Sequence, residues 1–105
     1  MLVNRRTFTA SKPHFEEVLE LLGEYGDLLK SIDSAAVMRV YGIEFGRVDT
    51  IAREYEVESL TAFERALAEF QDHPRVKPRL PTWYQQWRQI TVPGGGTNEF
   101  WRLRD

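Results

Sequence analysis

Glu54 and Glu56, two residues apart in the segment TIAREYEV, are the first side chains in this sequence that could do chemistry. Side chains alternate along an extended chain, so the two carboxylates share one face of a strand while Ile51, Tyr55 and Val57 take the other. An acid/base couple needs one carboxyl group with a raised pKa, and a half-closed cavity supplies that by desolvation. The same spacing also suits ordinary cross-strand ion pairs with arginines such as Arg6 or Arg39. Tyr41 and Tyr55 carry hydroxyls that can donate hydrogen bonds or protons, or can sit at the edge of a core. Glu54 and Tyr41 are the candidate catalytic residues.

Other residue types narrow the chemistry further. The chain has no cysteine, and its two histidines, His14 and His73, fall at a helix start and a helix stop. Neither spacing builds a four-ligand metal site, so no metal is expected and both histidines are expected as surface caps. Gly94-Gly95-Gly96 lacks the lysine and following helix of a phosphate loop and is expected as a flexible connection. Trp83, Trp87 and Trp101 could stack on an aromatic ligand, while the first two also suit anchoring a helix onto a sheet. Arg75, Lys77 and Arg79, interleaved with prolines, suit a solvated loop or a contact with a partner.

These groups sit in a chain of 105 residues, the size of one domain spanning 1–105. Fourteen basic and 16 acidic residues give a net charge of −2, which favours neither nucleic acid nor an anionic membrane as partner. No apolar run is long enough for a membrane span, and strand-like sequence begins almost at once. The absence of cysteine fits a reducing cytoplasm, the expected location.

The elements that would position these side chains follow from periodicity. LVNRRTFT alternates and is rich in Thr, Val and Phe, which predicts a strand. Phe15, Val18, Leu22, Tyr25, Leu29 and Ile32 form the stripe of a long amphipathic helix. Gly23 and Gly26 weaken its middle, either for close packing of another backbone or because the helix ends near Gly26. Val37–Ile43 and Asp49–Val57 are expected strands joined by a Gly46-Arg47 turn. Ser59 suits the N-cap of a second helix carrying Leu60, Phe63, Leu67 and Phe70, which Asp72-His73-Pro74 stops. Pro78 and Pro81 predict irregular chain, Thr82 a cap for a short helix bearing Trp83, Trp87 and Ile90, and Asn98–Leu103 a last strand. The expected fold is α+β, a ferredoxin-like βαββαβ antiparallel sheet with helices on one face.

Such a sheet leaves its second face open. Trp101 or Phe100, Tyr41 or Val40, and several arginines and glutamates would share that face, which is too apolar for water and too polar for a dry core. Two copies meeting face to face across a two-fold axis would seal the apolar rim and leave polar groups around a cavity. A homodimeric α/β barrel is therefore expected.

Several short motifs carry a resemblance. Arg6-Thr7-Phe8 with Lys12-Pro13, the Phe45-Gly46 turn, Tyr55, Glu58-Ser59-Leu60, and Asp72 with Pro74 together make the chain similar to the NIPSNAP family of the dimeric α/β-barrel group. Asn4, His14 and Tyr55 depart from the family's usual acidic residue, glycine and tryptophan. The resemblance covers most of the chain and implies the dimeric barrel, but no defined reaction and no cofactor. Only one of Arg5 and Arg6 can face the cavity, and Arg6 matches the family position. An arginine there suits a carboxylate or enolate through its planar fork, and an internal ion pair equally. The expected ligand-binding set is Arg6, Arg39, Glu54, Glu56 and Trp101. The expected function is binding of a small anionic or aromatic molecule in the barrel cavity. A cofactor-independent monooxygenase, cyclase or isomerase of the same fold is the alternative, and a protein-interaction scaffold the second alternative.

Overall fold

The alternating opening segment becomes β1 (Leu2–Thr9) in a computed structural model that describes residues 1–11, 13–43 and 49–104. It is followed by α1 (Phe15–Ser31), β2 (Val37–Gly42), β3 (Thr50–Val57), α2 (Leu60–Asp72), α3 (Leu80–Ile90) and β4 (Asn98–Arg102). The strands form one sheet in the order β2-β3-β1-β4, with each neighbouring pair antiparallel. This is the expected α+β, ferredoxin-like arrangement, with α3 inserted before the last strand. Lys12, Phe45 and the Gly46-Arg47 turn lie outside the described residues.

One sheet face packs against the helices. Val18 and Leu22 of α1, Ile51 of β3, Phe70 of α2 and Val76 of the α2–α3 connection are almost completely buried there. Burying each such side chain contributes about 1.5–3 kcal/mol. α1 runs unbroken through both of its glycines. A Cβ on Gly26 would make an ordinary contact 3.8 Å from Met38 Sδ, and one on Gly23 would meet nothing within 4 Å. Close backbone packing therefore explains neither glycine, and no contact accounts for Gly23.

The caps follow their chemistry unevenly. Ser59 Oγ accepts from the Ala62 N–H at 3.1 Å and starts α2 as expected. His14 precedes α1 without capping it; its Nδ1 lies 2.9 Å from Glu17 Oε1. His73 ends α2, and its Nδ1 accepts from the Arg75 N–H at 3.1 Å. Thr82 does not cap α3, which starts two residues earlier with Pro81 in its first turn. Proline is tolerated there because a first-turn N–H has no helical partner to lose.

The proline-rich connection is exposed at Pro74, Arg75, Lys77 and Pro78, as expected of a solvated loop, but it is ordered. Its turns close through hydrogen bonds from Val76 N–H and Lys77 N–H to the His73 carbonyl, each 2.9 Å. Arg75 donates to the Ser31 carbonyl at 2.9 Å, and Arg79 forms a two-pronged pair with Glu24 of α1, one prong 2.8 Å long. Arg79 holds the Glu24 carboxyl below the usual carboxylate range, and Glu24 in turn raises the Arg79 pKa. Two of the three basic residues are thus spent on fastening this segment to α1. PGGGT is likewise seated on β1, with Thr9 Oγ1 donating to the Gly95 carbonyl at 2.8 Å.

Candidate functional site

Register decides which candidates share a face. In β3, Ile51, Arg53, Tyr55 and Val57 are buried against the helices, which turns Ala52, Glu54 and Glu56 to the open face. Arg5 lies opposite Glu54 on β1, and Arg39 lies opposite it on β2. Tyr41 pairs with Ala52, and Trp101 pairs with Val3, which itself pairs with Glu56. The open face therefore gathers Arg39, Tyr41, Glu54, Glu56 and Trp101. Glu99, opposite Arg5, completes a row of alternating charge running Arg39, Glu54, Arg5, Glu99.

Arg6 is absent from this set. It pairs with Arg53 and so occupies the helix-covered face; Arg5 takes the position expected of Arg6. The cause is strand parity. β1 buries Leu2 and Asn4 beside Val57 and Tyr55, and every even-numbered residue of the strand must follow them.

Two arginine–glutamate pairs form within the open face. Arg5 Nε donates to Glu54 Oε2 at 2.6 Å, and Arg39 Nη1 donates to Glu56 Oε2 at 2.9 Å. The Glu56 carboxylate raises the Arg39 pKa. Arg5 also lies 5.8 Å from the centre of the exposed Trp101 ring. Neither glutamate is left as a free base, and Tyr41 is exposed at the edge of the sheet. The cross-strand ion pairs form, with Arg5 as the partner of Glu54.

The helix-covered face holds what the sequence reading missed. Arg53 is only 8% exposed, and among the described residues it has no carboxylate partner. Its Nη2 donates to Asn4 Oδ1 at 2.9 Å, while its Nε has no partner. Asn4, 1% exposed, is held in turn by its own donations to Asn98 Oδ1 at 2.8 Å and to the Glu99 carbonyl at 3.1 Å. The Arg53 guanidinium stacks 3.9 Å from the Tyr55 ring centre. Burial lowers the Arg53 pKa and raises those of Tyr25 and Tyr55, so these tyrosines belong to the core as neutral phenols. The signal for Arg53 was present in the alternation, which places an arginine between Ile51 and Tyr55 on the buried side.

Trp83 and Trp87 of α3 line the same region. Their rings stack 5.0 Å apart; Trp83 lies 5.0 Å from Tyr25, and Trp87 meets Phe8 edge-on at 4.7 Å. Both pack the short helix onto the rest of the fold, as the anchoring alternative expected. Groups of three or more histidine, acidic or cysteine side chains able to hold a metal are absent among the described residues. No helix among them is long and apolar enough to cross a membrane.

No family profile matches the sequence, and no curated protein is significantly similar to it. Solved structures are similar in shape. A NIPSNAP-domain protein from Burkholderia xenovorans superposes with a TM-score of 0.75 at 13% identity, covering 99% of this chain and 95% of the other. A NIPSNAP family protein from Agrobacterium tumefaciens gives 0.74 at 14% identity, with 99% and 93% covered. A variant of SnoaB, a cofactor-independent oxygenase from Streptomyces nogalater, gives 0.67 at 14%, also with 99% and 93% covered. With the sheet order, both faces and these superpositions in view, the chain has the ferredoxin-like fold of NIPSNAP-domain proteins.

Proposed function

We propose that this chain forms a homodimeric α/β barrel through its open sheet face and that the protein binds a small organic molecule, anionic or aromatic. The observation that carries the reading is the open face itself. Val37, Tyr41 and Trp101 are exposed on it beside ion pairs already matched within the face. Such a band favours being covered, and the two ion pairs already formed lower the cost of covering Arg5, Arg39, Glu54 and Glu56. An identical face related by a two-fold axis is the simplest occupant.

The small-molecule part draws support from fold-level likeness to an oxygenase that acts without a cofactor. Catalysis of that kind, or by a cyclase or isomerase, is the second reading. Glu54 Oε2 is already held by Arg5 Nε, which speaks for binding over catalysis. Native mass spectrometry of untagged protein should show dimers carrying the added mass of a small molecule, which is released on denaturation. Dimers of bare chain mass that bind no organic acid when challenged would contradict the binding reading.

A further inference from the structure

We infer that the ligand site lies on the helix side of the sheet, where Arg53 and Arg6 receive the negative end of a small, planar organic anion such as an aromatic carboxylate or enolate. The inference rests on the small-molecule reading and moves the site away from the open face.

Two cations lie side by side there without a counter-charge. Arg53 and Arg6 are register partners on β3 and β1, and among the described residues neither forms an ion pair. Taking an arginine out of water costs several kcal/mol unless an anion and further hydrogen bonds offset the loss. Asn4 supplies one neutral acceptor, and the buried Arg53 Nε remains a donor with nothing to bond. On the open face, by contrast, Arg5 and Arg39 both have carboxylates. Of these four sheet arginines, the two without a carboxylate partner among the described residues are on the helix side.

A cavity is present at the same place. Arg6, Arg53, Tyr25, Trp83, Tyr84 and Trp87 border a space of about 60 Å³, enough for the polar head of a ligand. Arg6, Phe8 and Trp87 also border an adjoining groove of about 420 Å³, walled by Arg88 and the 92–97 loop. A ligand with its anionic head at Arg53 and its flat body passing Trp87 into the outer groove would use both. Guanidinium groups offer paired parallel donors to a carboxylate, and aromatic walls favour a flat, unsaturated body. Arg6, exposed and 5.3 Å from the Phe8 ring centre, borders both spaces.

Isothermal titration with 2-naphthoate and its neutral counterpart 2-naphthamide tests the assignment. The acid should bind one per chain, and the amide about tenfold more weakly or worse, because it lacks the charge that the arginines require. Arg6→Met, at an exposed position, should fold normally and weaken naphthoate binding about fivefold or more. Arg53→Met, checked for folding by circular dichroism, should weaken it further. Equal affinity for acid and amide, no saturable binding of the acid, or unchanged binding by both folded variants would each overturn the site. Loss of naphthoate binding in Arg39→Met with full binding in Arg6→Met would place the ligand over the open face. That outcome would sink this site and leave small-molecule binding standing.

Discussion

Trp83→Ala should lower the unfolding free energy by about 3–5 kcal/mol, the range for removing a large, fully packed aromatic side chain. Trp83 is 3% exposed, and its ring packs on Tyr25 and Trp87. Its indole N–H donates to the Leu21 carbonyl of α1 at 2.9 Å, so one side chain ties α3 to both the core and the first helix. Trp83→Phe separates the two contributions. It keeps most of the ring volume and loses the hydrogen bond, so it should cost about 1–2 kcal/mol. Urea titration followed by circular dichroism reads both values. A phenylalanine variant as unstable as the alanine variant would show that the hydrogen bond, not packing, holds α3 in place.

Gly96→Ala should be nearly as damaging, at about 3 kcal/mol or more, because it overpacks a site with no room to relax. A Cβ at Gly96 would lie 1.8 Å from the Thr7 carbonyl oxygen and 2.7 Å from its carbon, both backbone atoms of β1. The neighbouring bonds leave little slack. Thr7 N–H donates to the Thr97 carbonyl at 3.1 Å, and Thr97 N–H donates to Thr7 Oγ1 at 2.9 Å. The methyl group must therefore push β4 away from β1 or break this pairing. Gly96→Ala unfolding at the wild-type urea midpoint would show that the loop does not press on β1 as described.

Local pattern made most of the fold legible, because each strand and helix buries one face and the sequence period states which. The Glu54/Glu56 face and the Ser59 cap are of this kind. Parity in β1 was harder. LVNRRTFT places two arginines in succession, and only the register against β3 shows that Leu2 and Asn4 go inward and carry Arg6 with them. Resemblance to a family position pointed to Arg6 on the open face, but pairing geometry put Arg5 there. Arg53 escaped notice for a different reason. An arginine beside two glutamates suggests a surface ladder, yet alternation alone assigns it to the side of Ile51 and Tyr55. Long-range fastening was invisible in the sequence. Nothing local says that Arg79 reaches Glu24 or that the glycine loop rests on Thr7 and Thr9, since those contacts join segments 55 and about 90 residues apart.

Covering of the open face by a second copy, with Glu54 and Glu56 kept for ion pairs, is the central proposal. Light scattering on the purified protein at low micromolar concentration tests this directly. A face that buries about 800 Å² per partner should hold two chains together at that concentration. The expected mass is that of two 12.3 kDa chains, falling to one chain in Trp101→Glu, which sets a new carboxylate on the apolar part of that face. A wild-type mass of one chain would contradict it.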